Sequence, residues 1–178
     1  MESLYQQNPD IYQALIESST NVCVGYTSII PLNQKAFETT LQPDFHRINS
    51  SDIQVLDFPG FYYMHLSSIV VEPAYRDLSR AYASLSDAFL RNLLELAAND
   101  IYIVSLSADA VTVNGHRICH SLGMTEMAQR DGESTLFCGS LLPPKMRLTS
   151  KTGMEVIRVY KSAYELFKDV YPQLLEAK

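Results

Sequence analysis

Residues 61–71, FYYMHLSSIVV, are dense in aromatic and β-branched side chains, contain no glycine or proline, and stop at Glu72-Pro73. Such a run fits a pleated, largely buried strand and is expected to be central in a sheet. Directly after it the period changes. Leu78, Ala81, Tyr82, Leu85, Ala88, Phe89, Leu93 and Leu96 recur at three- and four-residue spacings over residues 78–98, the stripe of an amphipathic helix. A central strand that feeds a long helix through a short turn restricts the chain to an α/β arrangement, with the helix laid across the sheet.

The rest of the chain supplies neighbours for that unit. Residues 9–18 place Ile11, Ala14, Leu15 and Ser18 on one helical face, with Pro9 suited to a first turn, and are read as a short helix. VCVGYTSIIPL after Asn21 reads as a strand ended by Pro31, and residues 32–41 as a helix. Residues 42–59, with Pro43, Asn49, Ser50, Ser51 and Pro59, form the longest irregular connection, of the kind that lies over sites. IYIVSLS at 101–107 is a second buried strand, and residues 111–122 are a shorter helix that Gly123 caps. MTEMAQR and STLFCGSLL flank Asp131-Gly132, a hairpin signal, before Pro143-Pro144 stops the sheet. Residues 153–170 carry Val156, Val159, Tyr160, Ala163, Leu166, Phe167 and Val170 on one stripe. This tail is expected to dock on the body or on a partner, which makes a homodimer one outcome. No repeat or linker divides the chain, so a single domain over 1–178 is expected, with a core at about 21–141 and a helical extension at 145–178.

Charge and cysteine content exclude several classes of function. A net charge of −6 and a pI near 5.1 argue against a nucleic-acid partner, and the loose cluster of Lys145, Arg147 and Lys151 falls in a connector. Cys23, Cys119 and Cys138 are scattered and odd in number, which fits free thiols in a reducing compartment. No apolar run approaches the roughly 20 residues a membrane span requires, and the expectation is a soluble, cytoplasmic protein. His116, Cys119 and His120 share one helical face, but a structural zinc site needs a second ligand cluster, and no metal is expected.

At Glu72-Pro73-Ala74-Tyr75-Arg76-Asp77-Leu78-Ser79-Arg80-Ala81 the exit of a buried strand meets the start of a long helix. The first amides of a helix lack internal partners and the macrodipole adds roughly half a positive charge there, so this turn suits an anion. Arg76, Ser79 and Ala81 resemble the turn pattern of the GNAT superfamily of acyl-coenzyme A N-acyltransferases: Gln or Arg, two free positions, Gly, one free position, then Gly or Ala. Leu122-Gly123-Met124 is similar to the family's closing leucine, glycine, and aromatic or Met. The likeness covers roughly residues 21–141, and Ser79 stands where the family has Gly.

The resemblance implies a mixed, mostly antiparallel, twisted sheet flanked by helices, and an enzyme moving an acetyl group from acetyl-coenzyme A to a primary amine. It implies that Arg76, Asp77, Leu78, Ser79, Arg80 and Ala81 hold the diphosphate. Backbone groups of Ile69 and Val71 would pair with the pantetheine arm as an added strand would, and Asn114 is a further contact to that arm. The attacking amine must lose a proton, and Glu72 is the candidate base, with His65 as the alternative. In the slot where the family often has a Tyr as acid toward the departing thiolate, this chain has Cys119. Ser79 and Cys119, which depart from the family's pattern, also fit a chain that has lost catalysis. A regulatory or acyl-coenzyme A-binding module of the same fold is therefore the competing expectation.

Overall fold

A computed structural model of the chain describes residues 6, 8–76, 79–130, 134–143 and 145–169, with residue 79 described by its backbone alone. Among the described residues the strands and α-helices follow in the order β1 (Tyr12–Glu17), β2 (Val22–Leu32), α1 (Gln34–Thr40), β3 (Gly60–Val71), α2 (Ser79–Ala97), β4 (Ile101–Ala110), α3 (Val113–Ser121), β5 (Thr125–Gln129), β6 (Thr135–Ser140) and α4 (Lys151–Phe167). The strands form one six-stranded sheet in the order β1-β2-β3-β4-β6-β5. Only the central β3–β4 pair is parallel; its neighbours are antiparallel. This is the mixed, mostly antiparallel α/β fold that the resemblance implied.

Alternation along β3 divides the core between the two faces of the sheet. Tyr62, Met64 and Leu66 pack with Phe89, Leu90 and Leu93 of α2, with Ile118 and Cys119 of α3 and with Val156 and Tyr160 of α4. On the other face Tyr63 packs with Phe37 of α1, Leu32 and Cys138. Three helices therefore cover one side and α1 covers the other.

Two expectations are corrected here. Residues 12–17 are a strand, not part of a helix: Pro9–Ile11 make one turn that buries Ile11, and Tyr12–Glu17 then pair with β2. A helix this short gains little on its own, whereas pairing with β2 satisfies the backbone at once and packs the half-buried Leu15 against Val71 and Leu85. Asn21, at φ 55°, closes the hairpin in the left-handed region that Asn tolerates. Nor does Pro31 end β2. Its carbonyl accepts from the Gln54 N–H at 2.9 Å, so its nitrogen also faces away from β3 and the ring costs no ladder bond there.

The long helix, the central strand and the Gly123 cap lie where the sequence placed them, with Gly123 at φ 74°. The tip of the β5–β6 hairpin, Asp131-Gly132-Glu133, lies outside the described residues.

The tail helix α4 docks on the body. Its Ser150 caps the first turn by accepting from the Gly153 N–H, and Thr152 donates to Asp87 of α2 at 2.5 Å. Deeper in, alternation along β4 points the Ile103 N–H away from β3, and the Tyr160 hydroxyl accepts it at 3.0 Å. Both residues are buried, at 0% and 3% exposure. Tyr160→Phe leaves that N–H without a partner and is expected to destabilise the fold by about 1–3 kcal/mol. Urea unfolding at unchanged m checks it, and a loss below about 0.5 kcal/mol would mean the bond does not hold α4 in place.

Candidate functional site

β3 and β4 pair from Gly60↔Ile101 to Leu66↔Ala108 and then part. Beyond that point Ser67–Val71 keep only β2 as a neighbour, and Asp109–Ala110 keep only β6. A bulge lies at the junction: Ser28 partners Ser68 and Ile29 partners Leu66, which leaves Ser67 as the extra residue of β3. A bulge bends its strand and sharpens its twist, which accounts for β3 leaving β4 at this position. The Glu72 N–H donates to the Val24 carbonyl at 2.9 Å, so alternation points the N–H and C=O of Ile69 and Val71 toward the edge that β4 has vacated. The two residues singled out for an added extended chain thus face the vacated edge, with the Val71 carbonyl taken there by Arg76.

The turn beyond Val71 is a single 3-10 turn, Pro73–Tyr75, with Tyr75 N–H donating to Glu72 and Arg76 N–H to Pro73. Arg76 folds back, its Nε donating to the Val71 carbonyl at 3.0 Å, and the Tyr75 hydroxyl donates to Glu17 of β1 at 2.8 Å. Asp77 and Leu78 lie outside the described residues. Arg80 is exposed and does not line the cleft described next, while Ala81 is packed against Val71 and Leu85.

Next to this turn a cleft of about 510 Å³ opens between α2 and α3. Arg76, Tyr82, Ala83 and Ser86 form one wall; Asn114, Arg117, Ile118 and Ser121 form the other. The α3 residues recur at three- and four-residue spacings and so present one face of that helix, whose start is fixed by Thr112 accepting from the Gly115 N–H at 3.0 Å. Two lining residues are arginines and none is a carboxylate, in a chain whose net charge is −6. The cleft is therefore a cationic place on an acidic protein.

The structure brings Arg76 and Asn114 together in this cleft, but it separates the three residues expected to be catalytic. Glu72 is exposed, does not line the cleft, and lies six residues past Leu66, roughly 20 Å along the strand from the point of parting. It stands at the far end of the vacated edge, not at the junction. His65 is on the opposite face. Its Nδ1 is 3.0 Å from the Ser107 hydroxyl, which is 2.8 Å from that of Thr40, and Thr40 donates to the Phe37 carbonyl. With the Thr40 hydrogen committed, Ser107 donates to Thr40 and accepts from His65, so Nδ1 carries the imidazole proton. Burial, with the Arg130 charge adding to it, pushes the His65 pKa down to about 4, which makes it a weak proton acceptor at neutral pH.

Cys119 is packed in the core below α3, and burial pushes its thiol up to about 12. A thiol that weakly acidic is a poor proton donor to a departing thiolate, so its place in the expected slot carries no matching chemistry. His116 and His120, on the same helix, instead face the Glu126 carboxylate at 3.7 and 3.3 Å. Among the described residues no group of three or more His, Cys, Asp or Glu could hold a metal ion, and no helix is long and apolar enough to cross a membrane.

Several residues of this region were not anticipated. Arg117, Ser121 and Ser86 belong to no motif, and nothing local in the sequence says that the helix sides bearing them face each other, while Tyr82 falls on the apolar stripe of residues 78–98. Asp109 and Arg130 form an ion pair at 2.6 Å where β4 emerges from the parallel pair, on the His65 face. They are far apart in the sequence and share no motif.

A mixed sheet with one central parallel pair that parts at a bulge, followed by a turn, a long helix and a second helix across a cationic cleft, is the kind of fold that the resemblance to the GNAT superfamily implied. No family model and no curated protein matches the chain. Among solved structures, it is similar to the NatB acetyltransferase complex bound to a bisubstrate inhibitor, at 12% identity over 84% of this chain and 78% of that one, with a TM-score of 0.49. It is also similar to a mosquito arylalkylamine N-acetyltransferase (like 5b), at 11% identity over 73% and 74% with a TM-score of 0.46. A third is AtaTR bound with AcCoA, at 12% identity over 71% and 66% with a TM-score of 0.41.

Proposed function

We propose that this chain binds acetyl-coenzyme A and transfers its acetyl group to a primary amine. The observation that carries the reading is the parting of β3 and β4 beyond Leu66 and Ala108, with the cationic cleft at the far end of the opened edge. In this reading the pantetheine arm lies along Ile69 and Val71 as a surrogate strand, and Arg76 and the turn after Pro73 take the diphosphate. Asn114 faces the same cleft from α3. A neutral amine attacks the thioester carbonyl, a carbon–nitrogen bond forms and the carbon–sulfur bond breaks. The amine's proton leaves through water, and the thiolate departs and takes up a proton.

The purified chain is expected to bind coenzyme A in the micromolar range by calorimetry. With acetyl-coenzyme A and a panel of small amines and peptide N-termini, it is expected to release free thiol with at least one acceptor. Absence of coenzyme A binding would remove the reading altogether.

A second reading is favoured by a specific observation: Glu72, His65 and Cys119 do not meet at the point of parting. The chain would then be an acyl-coenzyme A-binding module without transferase activity. Micromolar binding with no thiol release across the panel would select it over the first.

A further inference from the structure

We infer that Arg117 is the contact for a second phosphate, so that the cleft selects carriers bearing a phosphate monoester on the ribose in addition to the diphosphate. The inference rests on the reading of the cleft as a coenzyme A site and adds to it a residue, and a selectivity, that the turn motif does not contain.

The two arginines of the cleft belong to different walls. Arg76 sits at the turn and is tied by Nε to the last carbonyl of β3, so the anion it serves lies at the strand's exit. Arg117 comes from α3, across the cleft, three residues after Asn114 and four before Ser121 on the lining face. Among the described residues no carboxylate pairs with Arg117, although the chain carries 20 acidic side chains against 14 basic ones. An unneutralised guanidinium facing a cleft with no acidic lining is a site for an anion from solution.

The volume and the charge of the ligand point the same way. At about 510 Å³ the cleft lies in the range of roughly 300–1,000 Å³ typical of sites for whole small molecules, well beyond what a diphosphate alone would fill. A phosphate monoester carries about −1.5 to −2 charges at pH 7, more than either phosphate of a diphosphate diester, and it offers three oxygens to a planar guanidinium fork. Ser86, Ser121, Asn114 and Tyr82 line the space between the walls and offer neutral hydrogen bonds to the sugar and base that would join the two phosphate positions.

The experiment is a comparison of coenzyme A with dephospho-coenzyme A, which lacks only the ribose monophosphate, by calorimetry on the full chain and on Arg117→Gln and Arg117→Lys. Arg117 is exposed, so the substitutions are expected to leave the melting temperature unchanged. The unaltered chain is expected to prefer coenzyme A by about tenfold to a hundredfold, the worth of a charge-assisted contact. Arg117→Gln is expected to erase that preference while leaving the dephospho-coenzyme A affinity within about twofold, and Arg117→Lys to restore part of it. Equal weakening of both ligands by Arg117→Gln, or no preference in the unaltered chain, overturns the inference and leaves the coenzyme A reading standing. Binding of neither ligand fails that reading instead, and the inference with it.

Discussion

Replacing Arg130 with methionine is expected to lower the unfolding free energy by about 3–5 kcal/mol, the largest effect of any single substitution considered for this chain. The guanidinium is held by an unusual number of partners for one side chain. It is 2.6 Å from the Asp109 carboxylate, donates to the carbonyls of Thr40, Gln42 and Phe45, and lies 5.2 Å from the centre of the Phe45 ring. Its side chain is 6% exposed and that of Asp109 is 24% exposed, so methionine strands a half-buried carboxylate and leaves the carbonyls at the end of α1 without their donor. Burial already raises the Asp109 pKa, with Arg130 opposing it. Without Arg130 the folded state holds that proton more tightly than the unfolded chain does. The deficit is therefore expected to shrink as pH falls toward the carboxyl range and to be full above it.

Urea unfolding checks the loss, and hydrogen exchange at residues 41–45 reports whether the connection after α1 loosens. The double variant Arg130→Met/Asp109→Leu is expected to recover most of the stability, because neither charge is then buried alone. A single variant within about 1 kcal/mol of the unaltered protein would show that the pair does not fasten this face of the sheet.

The second large effect is on acid stability. His65 is 7% exposed, and its pKa lies near 4 against 6.5 for the free side chain. A histidine with a depressed folded pKa contributes its full stability above the unfolded value, and loses it as pH falls. Between about pH 6.5 and 4 the unfolded chain takes up a proton that the folded chain refuses, which removes roughly 3 kcal/mol across that window. The window lies largely above the ordinary carboxylate range, so it can be read separately from the acid unfolding driven by Asp and Glu. His65→Gln, which can still hydrogen-bond Ser107, is expected to flatten that limb in a pH series of urea midpoints. An unchanged limb would mean that His65 does not stay neutral in the fold. Because Arg130 is the second cause of the depression, Arg130→Met is also expected to shorten the limb.

These two effects sit on the face of the sheet opposite the cleft, and neither residue pair forms a sequence pattern. Thr40 at the end of α1, His65 in β3, Ser107 and Asp109 in β4 and Arg130 after β5 are brought together by strand register and by the packing of α1 on the sheet. His65 illustrates the difference. Its place in a strand could be read from FYYMHLSSIVV, but its neutrality depends on Ser107, Thr40 and Arg130, which reach it through pairing with distant segments. Cys119 is similar: the spacing to Gly123 put it in the acid's slot, while the core around Ile118 and Leu122 raises its pKa out of that role.

Residues 61–71 were legible from their density of aromatic and β-branched side chains without Gly or Pro, and residues 79–97 because one helical periodicity holds over many positions. The positive φ at Gly123 was legible because few other residues accept that conformation where a helix ends. Tyr12–Glu17 were not, since a short amphipathic stretch fits both periods until a partner strand is present. The parting of β3 from β4, the facing of α2 by α3 and the seat of Arg117 between them follow from a bulge and from helix packing. Those are relations between segments, and local side-chain preference carries no record of which distant backbone will lie alongside.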